Sequence, residues 1–326
     1  MGNVSSLSVA GMPVLPGLNS YMTTGNVFFV DSGTGSDTGG QGWGETVDEP
    51  FATLDYAIGR CTASNGDVII LAPGHAETVT TQILMDVAGV HVIGLGLGDN
   101  RPTFTVNANI WCVYCNADDC KITNIKFATG SSTNAASEML RVNADEFTIQ
   151  GCEFDMLYDM YNMVKIAGGD NIQILDCVFK NRVLAEADAV PQSAILDKEG
   201  TSTIVKNCRF SDLQAEKGNR WRSAAVRGGK KGASGSVQDQ GCLLIQDCTF
   251  LARGIATATR TAGASGFQAT VNCVGISTSS NTAVGSIFTP TYQHIIETYN
   301  VAAVNKQNLL MASTSDRRLK KDIAYL

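Results

Sequence analysis

Five segments of this sequence repeat one short form, and that repeat limits the fold more than any other feature. FTIQGCEF (147–154), IQILDCVF (172–179), TIVKNCRF (203–210) and LLIQDCTF (243–250) each run through an apolar pair, one or two polar residues, a cysteine, a variable residue and a phenylalanine. CKITNIKF (120–127) has the same form with Ile125 in the cysteine's place. The phenylalanines fall at 127, 154, 179, 210 and 250, in steps of 27, 25, 31 and 40, so a base period near 25 carries expansions. That is the mark of a solenoid whose coils hold inserted loops. Within a segment polar and apolar residues alternate, Thr148 and Gln150 against Ile149 and Gly151, which argues strands. Units this short bury their apolar face only by stacking, with equivalent residues about 4.8 Å apart along the axis. The Cys, Phe and Ile positions then form internal columns, and the residue between Cys and Phe points outward.

Most of the ten cysteines sit in these apolar runs, so they read as buried free thiols packed in a column and not as a disulfide framework. WCVYCNADDC (111–120) invites a zinc reading through Cys112, Cys115 and Cys120. No fourth ligand follows at finger spacing, His75, His91 and His294 are isolated, and an extended strand would send Cys112 and Cys115 to opposite faces. No metal and no cofactor is expected. GLGLGDN (94–100) lacks the following helix of a dinucleotide site and reads as a turn of the solenoid. The net charge of −7 argues against a nucleic-acid partner, and no apolar run is long enough for membrane insertion.

Where the chain enters, Val27–Asp31 reads as a strand, followed by a Gly-rich loop and an amphipathic segment. Phe51, Leu54 and Ile58 share one helical face there, with Pro50 in the first turn. Such a helix would cover the open end of the solenoid and shield its strand edges. The expected organisation is an N-terminal attachment arm (1–25), a capping strand and helix (26–60), the solenoid (61–275), a C-terminal capping or trimerising segment (276–314) and a terminal helix (315–326).

The stretch VDSGTGSDTGG…EPFATLDYAI…NGDVIILAPGHAETV, followed by VHVIGLGLGDNRP, resembles the right-handed parallel β-helix proteins of the pectate-lyase type, above all phage tailspikes and virion appendages. The likeness covers roughly residues 26–275. It implies an all-β, right-handed parallel β-helix that assembles as a homotrimer. Near the C-terminus, STSDRRLKKDI resembles the opening of the endosialidase-type intramolecular chaperone, in which a Ser nucleophile and a Lys base perform self-cleavage. By position these are Ser315 and Lys320. Only twelve residues follow Thr314, so the motif is expected to be a remnant serving as a terminal anchor, with Leu319, Ile323 and Leu326 on one face of a short helix.

Glycan cleavage on such a fold needs two carboxylates facing a groove. The candidates are Glu153, Asp155 and Asp159, with Met156, Tyr158 and Tyr161 beside them as a sugar-stacking shelf or a subunit contact. Across the coils the outward column reads Glu153, Val178, Arg209, Thr249, which does not concentrate acids. A basic insertion at 214–240 carries the preferred binding residues, Arg220, Trp221, Arg222, Arg227, Lys230 and Lys231, suited to an acidic glycan or another virion protein. The expectation is therefore a structural surface protein of a tailed-phage virion, made in the host cytoplasm. It would decorate the capsid or form a fibre or tail appendage, bound to capsid or tail proteins and to host surface polysaccharide. An enzyme is the less expected reading; the alternative is a tailspike polysaccharide depolymerase.

Overall fold

The computed structural model describes residues 23–130, 138–158, 160–182, 193–212, 224–228 and 242–252, together with the short strands Ser8–Val9, Met12–Pro13, Phe267–Ala269, Ser277–Ser279, Thr282–Gly285 and Ile296–Thr298. Strands from successive coils stack in register into three parallel sheets of nine, eight and eight strands. Each coil contributes one strand to each sheet in the same order. In one coil, for example, Thr148–Gln150 joins the first sheet, Glu153–Met156 the second and Asn162–Gly168 the third. The chain is thus an all-β parallel solenoid with one α-helix among the described residues, Leu54–Ile58.

The corners explain the repeat. Between the first and second sheets the backbone turns through a left-handed residue immediately before the Cys position: Asn124, Gly151, Asp176, Asn207 and Asp247, all with φ between 53° and 65°. Asn, Asp and Gly tolerate this region best, because short polar side chains bond locally and glycine has no Cβ. The opposite corner of the first sheet uses Gly89, Asp119, Glu146 and Asn171 in the same way, each followed by a buried residue: Val90, Cys120, Phe147 and Ile172. These tight corners fix the short connections. The second-to-third connection has no such constraint and varies in length, and the third-to-first connection lengthens too between Gly228 and Cys242.

The columns are as the alternation requires. Phe127, Phe154, Phe179 and Phe210 face inward and stack, centroids 5.0, 4.9 and 4.8 Å apart and rings within 12° of parallel. Phe104 extends the stack at 6.0 Å. Cys152, Cys177, Cys208 and Cys248 are buried and in no disulfide, each thiol leaning on a carbonyl of the preceding coil at 3.5–3.9 Å. Burial pushes the Cys177 and Cys112 thiols up, so they stay neutral and unreactive.

Several local expectations are corrected. The helix starts after Thr53, whose hydroxyl accepts from the Tyr56 N–H, so Pro50 is not in its first turn. Phe51 instead exchanges backbone hydrogen bonds with Phe29 and Asp31 along the outer edge of Val27–Val30. Leu54, Ala57 and Ile58 do bury into the core. Cys112 and Cys115 are both buried and do not face opposite ways, because two successive side chains, Cys112 and Val113, turn inward where the chain enters the third sheet. Met139–Leu140, Met163–Val164 and Ala194–Ile195 repeat that double inward turn. The solenoid also exceeds the expected 61–275: it begins at Val27, and strands through Ile296–Thr298 belong to its sheets. Finally, the segment read as a single basic loop contains the strand Ala224–Gly228, paired with Ser193–Asp197 in the third sheet.

Candidate functional site

The outer face of the second sheet carries the acids that sequence reasoning selected. Glu153 flanks Phe154 on the opposite face, as alternation demands, and Asp155 follows two positions on from it. Parallel registration brings Lys126 opposite Glu153 from the preceding coil, and Val178 and Lys180 opposite Glu153 and Asp155 from the next. Arg101 and Arg182 reach in from the adjoining connections.

The result is a closed network of charges. Lys180 Nζ donates to Glu153 Oε1 at 2.7 Å, while Lys126 Nζ stands 3.9 Å from the same oxygen and 3.5 Å from Asp155 Oδ2. Arg182 grips Asp155 with two nitrogens: Nε donates to Oδ1 at 2.7 Å, and Nη2 donates to Oδ2. Arg101 Nη1 lies 3.8 Å from Glu153 Oε2. The hydrogen bond to Asp155 raises the Arg182 guanidinium further above its ordinary value. Asp155 is 2% exposed although it sits on the outer face, because these cations close over it. The bidentate guanidinium takes one acceptor site on each Asp155 oxygen and Lys126 stands beside Oδ2, so the carboxylate is held in one pose by cations of neighbouring coils. Four cations surround two anions, so the cluster is net positive on an acidic chain.

Tyr158 lies two residues beyond the strand that carries the acids and Tyr161 one residue before the third-sheet strand Asn162–Gly168, and they are 44% and 41% exposed. Thr129 Oγ1 accepts hydrogen bonds from the Leu157 and Tyr158 N–H groups at 2.9 and 2.8 Å, tying that connection to the preceding coil. Met156 is fully buried and cannot join a surface shelf. Asp159, Arg220, Trp221, Arg222, Lys230, Lys231, Ser315 and Lys320 lie outside the described residues; the Arg227 backbone pairs with Leu196 in the third sheet.

Sequence reasoning missed the partners. Lys126, Lys180, Arg101 and Arg182 stand 25 or more residues from the acids they pair with, and only the register of coils brings them together. It also missed the partners of two histidines. The buried His75 accepts from the Ser32 N–H at Nδ1 (3.0 Å) and meets Glu77 through Nε2 (2.8 Å), and Glu77 accepts from the Leu54 N–H. His91 Nε2 bonds the Thr123 hydroxyl at 3.0 Å. Among the described residues no set of three or more His, Cys, Asp or Glu side chains is placed to hold a metal ion, and no helix is long and apolar enough to cross a membrane.

Solved structures resemble this architecture. The pectate lyase Pel9A superposes with a TM-score of 0.54 at 13% identity, over 89% of this chain and 80% of its own. The likeness is one of fold. A rhamnogalacturonan lyase matches at a TM-score of 0.48 and 15% identity, over 76% of this chain and 74% of its own. The tailspike protein of E. coli bacteriophage HK620, solved as a mutant in complex with a pentasaccharide, matches at 0.42 and 14% identity; the match spans 74% of this chain and about half (48%) of the tailspike. No protein-family model and no curated relative matches the sequence.

Proposed function

We propose that this chain is a structural surface protein of a tailed-phage virion: a homotrimeric β-helix, carried on the capsid or as a tail appendage, that meets host polysaccharide without cleaving it. The observation that carries the non-catalytic part is the state of Glu153 and Asp155. Acid–base cleavage of a glycosidic bond requires one carboxyl able to give a proton and another free to take one or to attack. Here each acid is committed to cations of neighbouring coils, at 2.7 Å for Glu153 and through two nitrogens for Asp155. The virion assignment is supported by the sequence pattern of residues 26–275 and by the STSDRRLKKDI motif behind it. The exposed Tyr158 and Tyr161, in the connection that follows the strand of Glu153 and Asp155, supply stacking faces, and the net-positive patch supplies donors, for an anionic or hydroxyl-rich polymer.

Quantitative peptide mass spectrometry of purified particles tests this reading. The expected result is a chain present in a multiple of three copies per particle, with hundreds marking a capsid decoration and a few dozen a tail appendage. Absence from particles overturns the virion role. Release of oligosaccharides from host polysaccharide by the purified protein overturns the non-catalytic role.

A further inference from the structure

Only one asparagine in the sequence precedes a glycine, Asn65. The pair sits in the turn between the helix Leu54–Ile58 and the strand Val68–Leu71, and both residues are exposed. Asparagine is a thermolabile residue, because the backbone nitrogen that follows it can attack the side-chain carbonyl carbon. Glycine hinders that attack least, having no Cβ. The turn is held by the Asn65 N–H on the Thr62 carbonyl at 3.3 Å and by the Thr23 hydroxyl on the Gly66 carbonyl. The Gly66 N–H itself donates to no acceptor among the described residues. What lies beside the turn gives such a reaction a consequence. Asp67 is fully buried and gathers the entry of the chain: Oδ1 accepts from the Asn26 N–H at 2.6 Å and from Asn65 Nδ2 at 2.7 Å, and Oδ2 accepts from the Thr62 N–H at 2.6 Å. Asn26 leads directly into Val27–Val30, and its carbonyl accepts from the Val68 N–H at 2.9 Å. The incoming chain is pressed against the turn, since a Cβ on Gly25 would stand 2.6 Å from the Asn65 carbonyl oxygen.

We infer that Asn65 is a site of spontaneous deamidation and that its product loosens the entry strand from the solenoid. The step needs only water. The Gly66 nitrogen gives its proton to solvent base and bonds to Asn65 Cγ. The Cγ–Nδ2 bond then breaks, and the nitrogen takes up a proton from solvent and leaves as ammonia. Water opens the resulting cyclic imide at one carbonyl or the other, giving isoaspartate or aspartate. Either product puts a carboxylate where Nδ2 had donated to Asp67. A buried carboxylate thereby loses one of three donors and gains a like charge beside it, and both changes are unfavourable. Isoaspartate also lengthens the backbone by one atom at the point where Gly25 packs against it. The bond to Asp67 restrains the amide, so the folded protein reacts more slowly than an open peptide. The reaction does not depend on the proposed virion role.

Ageing of the full-length protein at mildly acidic and mildly alkaline pH, followed by peptide mapping, tests the site. Asn65 should deamidate ahead of the exposed Asn116 and Asn143, mainly to isoaspartate. The rate should be several-fold higher at the alkaline pH, because the Gly66 nitrogen must lose a proton. Asn65 left intact in the folded protein while Asn116 or Asn143 reacts, or while Asn65 itself reacts in urea-unfolded protein, would overturn the site. The variant Asn65→Asp, made directly, tests the loosening. It should melt several degrees below the wild type. Hydrogen exchange should quicken at Asn26 and Thr62, whose N–H groups bond to Asp67, and stay unchanged in the distant strands Thr148–Gln150 and Glu153–Met156. Unchanged exchange at Asn26 and Thr62, or quickening spread evenly over the solenoid, would overturn the loosening of the entry strand.

Discussion

On its inner face the second sheet repeats one residue, with Phe127, Phe154, Phe179 and Phe210 stacked at 4.8–5.0 Å, whereas the adjacent outer positions hold Lys126, Glu153, Val178 and Arg209. Both columns are generated by the same translation, so the difference lies in the chemistry that translation permits. An aromatic ring gains by meeting its own copy, and offset stacking is worth about 0.5–1.5 kcal/mol beyond burial. A charge loses by meeting its own copy one strand away, because like charges directly opposite are destabilising. The outer columns therefore change sign from coil to coil, Lys126 to Glu153 in one and Asp155 to Lys180 in the next, and opposite charges pair across strands. Repetition marks the core of a solenoid; alternation of charge marks its surface.

The sharpest way to break the inner column is Phe154→Ala. It opens a cavity between two stacked rings and is expected to cost about 3–5 kcal/mol, read as a lowered midpoint in urea. The third sheet offers a test of the opposite sign. Asp197 lies in register with the inward Ile166 and is buried, and burial raises its carboxyl from 3.8 to about 6, with the Gly200 N–H bond at 2.9 Å only partly offsetting this. A raised folded pKa means that the native state binds the proton more tightly. This acid therefore penalises folding above pH 6, and the penalty fades as pH falls from 6 towards 3.8. Asp197→Asn keeps the oxygen that accepts from Gly200 and should stabilise the protein by up to about 3 kcal/mol at pH 7.5. Thermal melts of variant and wild type should converge near pH 4.

The outer network is expected to respond less. Asp155→Asn leaves Arg182 and Lys126 facing a neutral amide in a partly buried setting and should cost about 2 kcal/mol. Glu153→Gln breaks pairs nearer to solvent and should cost less than about 1 kcal/mol, shrinking further in high salt. A larger loss at Glu153 than at Phe154 would refute the division between the two faces.

The same division sets what was legible in the sequence. The Cys-x-Phe form announced stacked coils, inward Phe and Cys columns and outward Glu153, because an identical environment selects an identical residue. The left-handed corners are also written there, in the Asn, Gly or Asp before each Cys or its equivalent, though a short polar residue in a strand-like run marks a corner less plainly than a repeated Phe marks a core. Lys180 and Arg182 carry no comparable mark: nothing local ties them to residues 25 or more positions earlier until the register is known. Strand Ala224–Gly228 was hidden by the basic residues on both sides of it, which made the whole stretch resemble one loop.

The central claim is that Glu153 and Asp155 hold coils together and do not cleave a substrate. The most direct test measures polysaccharide turnover and melting temperature together for the wild type, Glu153→Gln and Asp155→Asn. This account predicts lowered melting temperatures in both variants, more for Asp155→Asn, and no oligosaccharide release from any of the three proteins. Release by the wild type that is abolished in the variants at unchanged melting temperature would contradict it.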